Sequence, residues 1–128
     1  MAKRVLSIIE SAYRGTLEEQ DDTIVWLTHA MKGAGADLAV LLRGNAVNYV
    51  VRGQDASGLA FGERRQANSP RIEEDVAKLA GKGVEVFVVE EDLAERGVER
   101  GETIEGVKLV PRQQIPRLVG SYDQVWHW

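Results

Sequence analysis

No cysteine occurs among the 128 residues of this chain. That excludes disulfides, thiolate metal sites and thiol nucleophiles outright, and a chain without thiols suits any redox compartment. Histidine is almost as scarce. His29 and His127 share no ligand spacing with each other or with a carboxylate pair, so no metal site is expected. Long apolar runs are missing as well. None approaches the roughly 18 residues needed to span a membrane, and only a short apolar stretch follows the basic Lys3-Arg4. A signal peptide and a membrane partner are therefore not expected, and the cytoplasm is the expected location. Positive charge is in deficit, with a net charge of −4. This argues against a nucleic-acid partner, although arginines cluster at 64–65 and 112–117. The glycines match neither the P-loop nor the dinucleotide fingerprint, and Ser11 has no nucleophile elbow around it.

What remains is ordinary for a globular protein: 44% hydrophobic and 28% charged residues, enough to build the core of one domain over residues 1–128. Residues 5–9 read as a first strand, apolar and β-branched. Thr16 and Glu19 have capping-box spacing, which predicts a helix to about Lys32, with Leu17, Ile24, Leu27 and Met31 as its buried stripe and Gly33 and Gly35 ending it. A second strand is predicted at 37–42, then a short helix or turn at 46–51. Residues 53–68 read as an irregular loop anchored by Leu59 and Phe61, and loops this long usually serve a ligand or an interface. Ser69 as N-cap and Pro70 at the first helical position predict the next helix, with Ile72, Val76, Leu79 and Ala80 inward. Strands follow at 84–89 and 107–110. A short helix from Pro116 presents Ile115, Leu118 and Val119 inward, and a last strand spans 122–126. Strand and helix alternate throughout. The predicted fold is α/β, three-layer α/β/α with a mostly parallel five-stranded sheet.

The stretch from 81 to 110 carries the most information. Its strand ends in three acids, Glu90, Glu91 and Asp92, and ligands of open α/β sheets sit beyond the carboxyl ends of strands. Leu93-Ala94-Glu95-Arg96-Gly97-Val98 follows, and Glu105-Gly106-Val107 leads into the next strand. This strand, acidic turn, "LxxRGV" and "EGV" resemble the DsrE/DsrF/DsrH family of small sulfur-relay proteins, which includes the Tus and YchN-like proteins. The resemblance implies a DsrEFH-like sheet and, in active members, a persulfide-carrying cysteine near Val89 or Asp92. Neither position is cysteine here, so sulfur transfer by the family's mechanism is excluded. The resemblance also implies assembly: a homo-oligomer, trimer or hexamer, or a mixed oligomer with DsrE-like relatives. One branch of the family lacks the cysteine and ends on an aromatic strand, as this chain does.

Two kinds of site are candidates. Glu10, Ser11, Tyr13, Arg14, Arg43, Asn45, Glu90, Glu91 and Asp92 would share the rim at the strands' carboxyl ends, where Arg14 and Arg43 could hold a small anion or nucleotide phosphate. The acids could instead hold a divalent cation or act as an acid–base pair, or simply open a helix whose dipole favours them. Leu59, Phe61, Trp126 and Trp128 are candidate interface residues, because large aromatics near a chain end are hard to bury within one domain. The reading is of a non-catalytic assembling or partner subunit with no cofactor; the alternative is a small-anion or nucleotide-binding protein.

Overall fold

The computed structural model describes residues 3–13, 21–54, 59–67 and 69–128. Val5–Ile9 forms β1, every residue of it buried. The helix α1 covers Thr23–Gly33, and Asp22 caps it, its carboxylate Oδ1 accepting from the backbone N–H of Ile24 (2.9 Å) and Val25 (3.0 Å). Leu38–Leu42 is β2, again buried throughout. A 3-10 turn follows over Gly44–Val50. Ala60–Phe61 (β3) and Arg64–Arg65 (β4) pair as a small antiparallel hairpin. Then come α2, Ile72–Gly81, β5, Val86–Val89, and α3, Glu90–Glu95. Val107–Val110 is β6, Ile115–Gly120 is α4 and Gln124–His127 is β7.

The main sheet has the order β6-β5-β2-β1-β7. All four pairings are parallel, so the sheet is wholly rather than mostly parallel. The two central strands are apolar along their length, as burial on both faces requires. One face of the sheet (Ile9, Val40, Leu42, Val86, Val88) packs on α1, α2 and the 3-10 turn. The other face (Leu6, Ile8, Ala39, Leu41, Phe87, Val89) packs on Ile115, Leu118 and Val119 of α4. The predicted three-layer α/β/α architecture is present. Among the described residues no helix is long and apolar enough to cross a membrane.

The expected Thr16/Glu19 capping box and Leu17 lie outside the described residues, and other local expectations are corrected. The helix α1 covers Thr23–Gly33 under its Asp22 cap. Its buried stripe is Ile24, Val25 and Thr28, while Leu27 and Met31 are only half-buried. The helix α2 starts two residues later than Ser69-Pro70 implies, with Arg71 at the N-cap, because Pro70 is itself buried in the approach. The stretch at 53–68 contains a hairpin rather than only loop. Gly62 at φ +64° supplies the positive φ that a two-residue hairpin turn demands. Phe61 on that hairpin is 75% exposed, so it does not anchor the segment to the core.

Tyr49 is the largest fully buried side chain among the described residues and explains how the 3-10 turn is held against α1. Its hydroxyl donates to the Asp22 Oδ2 at 2.5 Å and accepts from the Tyr13 N–H at 2.7 Å. Asp22 is 1% exposed, so this is one of its few solvation substitutes. Burial, then the bond to Asp22, push the Tyr49 phenol well above its ordinary pKa, which keeps it a donor. Tyr49→Phe leaves that carboxylate short of a partner and is expected to cost about 1–3 kcal/mol in urea denaturation. A loss below about 0.5 kcal/mol, the usual effect of a surface change, would contradict the role given to the hydroxyl.

Candidate functional site

The carboxyl ends of β1, β2, β5 and β6 meet along one rim, and the predicted acids are on it. Val89 closes β5 at 1% exposure, and α3 starts on the next residue. Glu90, Glu91 and Asp92 therefore open a helix, where acids in the first turn oppose the dipole. Each side chain is engaged, Glu91 and Asp92 by different groups of one arginine. Glu90 pairs with Arg100. Glu91 accepts from the backbone N–H of Arg112 through both oxygens, at 2.8 and 3.0 Å. Asp92, 7% exposed, accepts from the Gly44 N–H at 2.8 Å and from Arg112 Nη2 at 2.6 Å. Arg112 Nη2 also reaches Glu95 at 3.1 Å.

Asp92 is thus bound simultaneously to the end of β2 and to the start of the segment after β6. Burial alone would raise its pKa. The hydrogen bonds from Gly44 and Arg112, with the charges of Arg112 and Arg96, reverse that and hold the carboxyl below its ordinary value. Gly44 sits at φ +56°, and a Cβ there would lie 3.2 Å from Glu10 Cγ. Glycine is needed to turn the chain so that its N–H points at Asp92.

The other predicted residues divide into two groups. Glu10, Arg43 and Asn45 lie on the same rim. Glu10 bridges Arg43 Nε and His127 Nε2, each at 3.2 Å. The Asn45 Oδ1 accepts from Arg96 Nε (3.2 Å) and Nη2 (2.9 Å), and Arg96 Nη1 also donates to the Asp92 carbonyl at 3.0 Å. Ser11 is exposed, its N–H donating to the Trp128 carbonyl at 3.4 Å. Tyr13 stands apart, over the 3-10 turn. It adopts φ +59°, packs edge-on against Tyr49 at 5.2 Å and donates its hydroxyl to Gln54 Oε1 at 3.0 Å. Arg14 lies outside the described residues. Among the described residues, no group of three or more His, Asp or Glu side chains is placed to hold a metal ion.

Arg96 and Arg112 organise this rim, and neither was singled out as a site residue from the sequence. Arg96 carries a signal that could have found it, since it stands four residues after Asp92 on one helix face. Arg112 carries none, because its partners are 17 and 20 residues away in the chain.

The candidate interface residues fall elsewhere. Leu59 is half-buried, pairing through its backbone with Gln66 (2.8 Å). Trp126 and Trp128 lie at the edge strand β7, on the α1 side of the sheet, since Trp126 is in register with Ser7. Trp128 Nε1 donates to Ser7 Oγ at 3.1 Å, which satisfies a buried hydroxyl and fixes the indole. With Leu27, Met31 and His127 the two indoles line a groove of about 490 Å³.

The fold has known counterparts. The chain resembles the crystal structure of ychN protein from E. coli over 100% of both chains, with a TM-score of 0.73 and 21% identity. It also resembles MTH1491, a protein of unknown function from Methanobacterium thermoautotrophicum, with a TM-score of 0.61 and 17% identity over 97% of this chain and 98% of that one. No family model and no curated protein matches the chain. The YchN-like fold expected from the acidic turn, "LxxRGV" and "EGV" is therefore the one present.

The lowered pKa of Asp92 sets a pH dependence. Its contribution to stability is complete above the ordinary carboxylate value of about 4. It is lost as the pH falls from there through the lower value of the folded protein. Asp92→Asn is expected to cost about 2 kcal/mol at pH 7 and to flatten the acid limb of the stability curve. Denaturation midpoints between pH 2 and 7 check this, and identical acid limbs in both proteins would contradict it.

Proposed function

We propose that this chain is a cysteine-less relative of the DsrE-type sulfur-relay proteins whose work is to assemble. It acts as a trimer or hexamer of itself, or as a silent subunit beside cysteine-bearing relatives, in the cytoplasm. The observation that carries the reading is the edge strand β7. Among the described residues it is bonded on one side only, and Val125 on it and Trp128 just beyond it are 40% and 37% exposed. Beside it lies the groove between α1 and the two indoles. A free parallel edge flanked by aromatics is a surface that proteins ordinarily cover. Phe61, projecting on its hairpin, offers a second apolar contact.

The chemistry of the rim favours the same reading. No thiol stands at Val89 or Asp92, and the three acids of the turn are already engaged by Arg100, Arg112 and the Gly44 N–H. A small-anion pocket has less behind it, since Arg43 already faces Glu10.

Sedimentation velocity tests the proposal. The unaltered protein is expected to sediment as a trimer or larger. Val125→Lys, which puts a charge on the exposed edge without touching the core, is expected to shift it toward the monomer. A protein that is monomeric at about 50 µM, well above the Kd of a stable assembly, and remains so with a DsrE-like relative present, would overturn the reading.

A further inference from the structure

On a different flank of α1, where that helix meets α2, lies a recess of about 330 Å³ that includes Asp21, Trp26, His29, Asp75, Lys78 and Lys82. His29 Nε2 is 2.8 Å from the backbone carbonyl oxygen of Asp75. A carbonyl only accepts, so Nε2 carries the ring proton and Nδ1 keeps its lone pair. That lone pair faces Lys82 Nζ, which donates to it at 2.9 Å. An amine, a base in hydrogen-bond contact with it, and a third group orienting the base together form the arrangement that activates nucleophiles in covalent catalysis.

We propose that Lys82 is an acyl-acceptor lysine, activated by His29, for carboxyl groups carried as acyl phosphates or thioesters. The reacting form is the free amine of Lys82, its first proton given up to water, with one remaining N–H directed at His29 Nδ1. The amine nitrogen attacks the acyl carbon. The bond from that carbon to the donor's oxygen or sulfur breaks, and its electron pair leaves with the phosphate or thiolate. The attacking nitrogen, now cationic and acidic, gives its second proton to His29 Nδ1, which passes it to the leaving group or to water, and a neutral amide remains.

The surroundings suit both halves of this step. Lys82 is exposed and reachable by a donor. Trp26, 58% exposed in the middle of α1, gives the recess an apolar wall against which an acyl group can rest. Lys78 adds positive charge for an anionic donor, although Asp21 and Asp75 offset it. Burial raises the Asp75 carboxyl above its ordinary value, while the charges of Lys78 and His29 pull it back. The other lysines lack the base. Lys108 is tied to Glu85 at 3.0 Å, and no imidazole is paired with Lys3, Lys32 or Lys78 among the described residues.

The test incubates the full chain with acetyl phosphate and, separately, with acetyl-coenzyme A. Peptide mass spectrometry then follows acetylation of all five lysines with time. Lys82 is expected to lead Lys32 and Lys78 by about tenfold or more with at least one donor, a modest share of what a positioned base can contribute. The reacting donor identifies the source. His29→Gln keeps a donor for the Asp75 carbonyl but removes the base, and is expected to bring Lys82 down to the rate of Lys32 while Lys108 is unchanged. Equal rates at all five lysines, or an unaltered Lys82 rate in His29→Gln, would overturn the proposal. Nitrogen-15 shifts of His29 in the unaltered protein give a reading independent of the variant's folding: the Nε2–H form supports the proposal and the Nδ1–H form contradicts it.

Discussion

One buried carboxylate ties the strand ends together. Asp92 accepts from the Gly44 N–H after β2 and from Arg112 after β6, while itself sitting just past β5. Three neighbouring strands thus converge on one side chain that is 7% exposed. A carboxylate so placed is stable only while its partners hold it, because an unpaired charge in that position costs several kcal/mol. The requirement runs outward from there. Gly44 must take a positive φ to present its N–H, and Arg112 must follow β6 immediately. Glu91 then takes the backbone N–H of Arg112, Glu95 shares its Nη2, and Asn45 takes Nε and Nη2 of Arg96. Where open α/β sheets usually bind a ligand, these described side chains pair with one another.

A second polar junction repeats the logic on the α1 side of the sheet. Asp22 caps α1 with one oxygen and receives the Tyr49 hydroxyl on the other, and that hydroxyl in turn receives the N–H of Tyr13. The left-handed backbone of Tyr13, unusual for a bulky residue, is held by this bond and by the Tyr13–Gln54 contact. Both junctions use a buried acid to join segments distant in the chain. In both, each carboxylate oxygen accepts from a donor of the chain itself.

How much of this is legible in the sequence follows from what each signal measures. An apolar, β-branched run marks β1 to the residue, because burial on a sheet leaves little choice of side chain. β6 is also placed to the residue, by Val107, Leu109 and Val110 around an exposed Lys108. The acidic turn also reads correctly as a helix start, because charge at an N-terminus is a local effect. The start of α2 is misplaced because Ser69-Pro70 satisfies the local rule for a cap while Pro70 is spent on burial. The hairpin at Ala60–Phe61 and Arg64–Arg65 is missed because two-residue strands have no period to detect. The rim is half legible. The sequence places Glu90, Glu91 and Asp92 together, yet nothing local reveals that their partners stand 10 to 48 residues away. Trp26 and the His29–Lys82 contact escape for the same reason, since a helix pattern shows which face is apolar but not which neighbour the other face meets.

The account rests on Asp92 being a structural tie rather than a vacant ligand site, and carboxyl carbon-13 NMR across pH 2 to 7 reads that group directly. The account predicts a single Asp92 inflection below the ordinary carboxylate value of about 4, unmoved by millimolar Mg²⁺. An inflection above that value, or one that shifts when the cation is added, would contradict it.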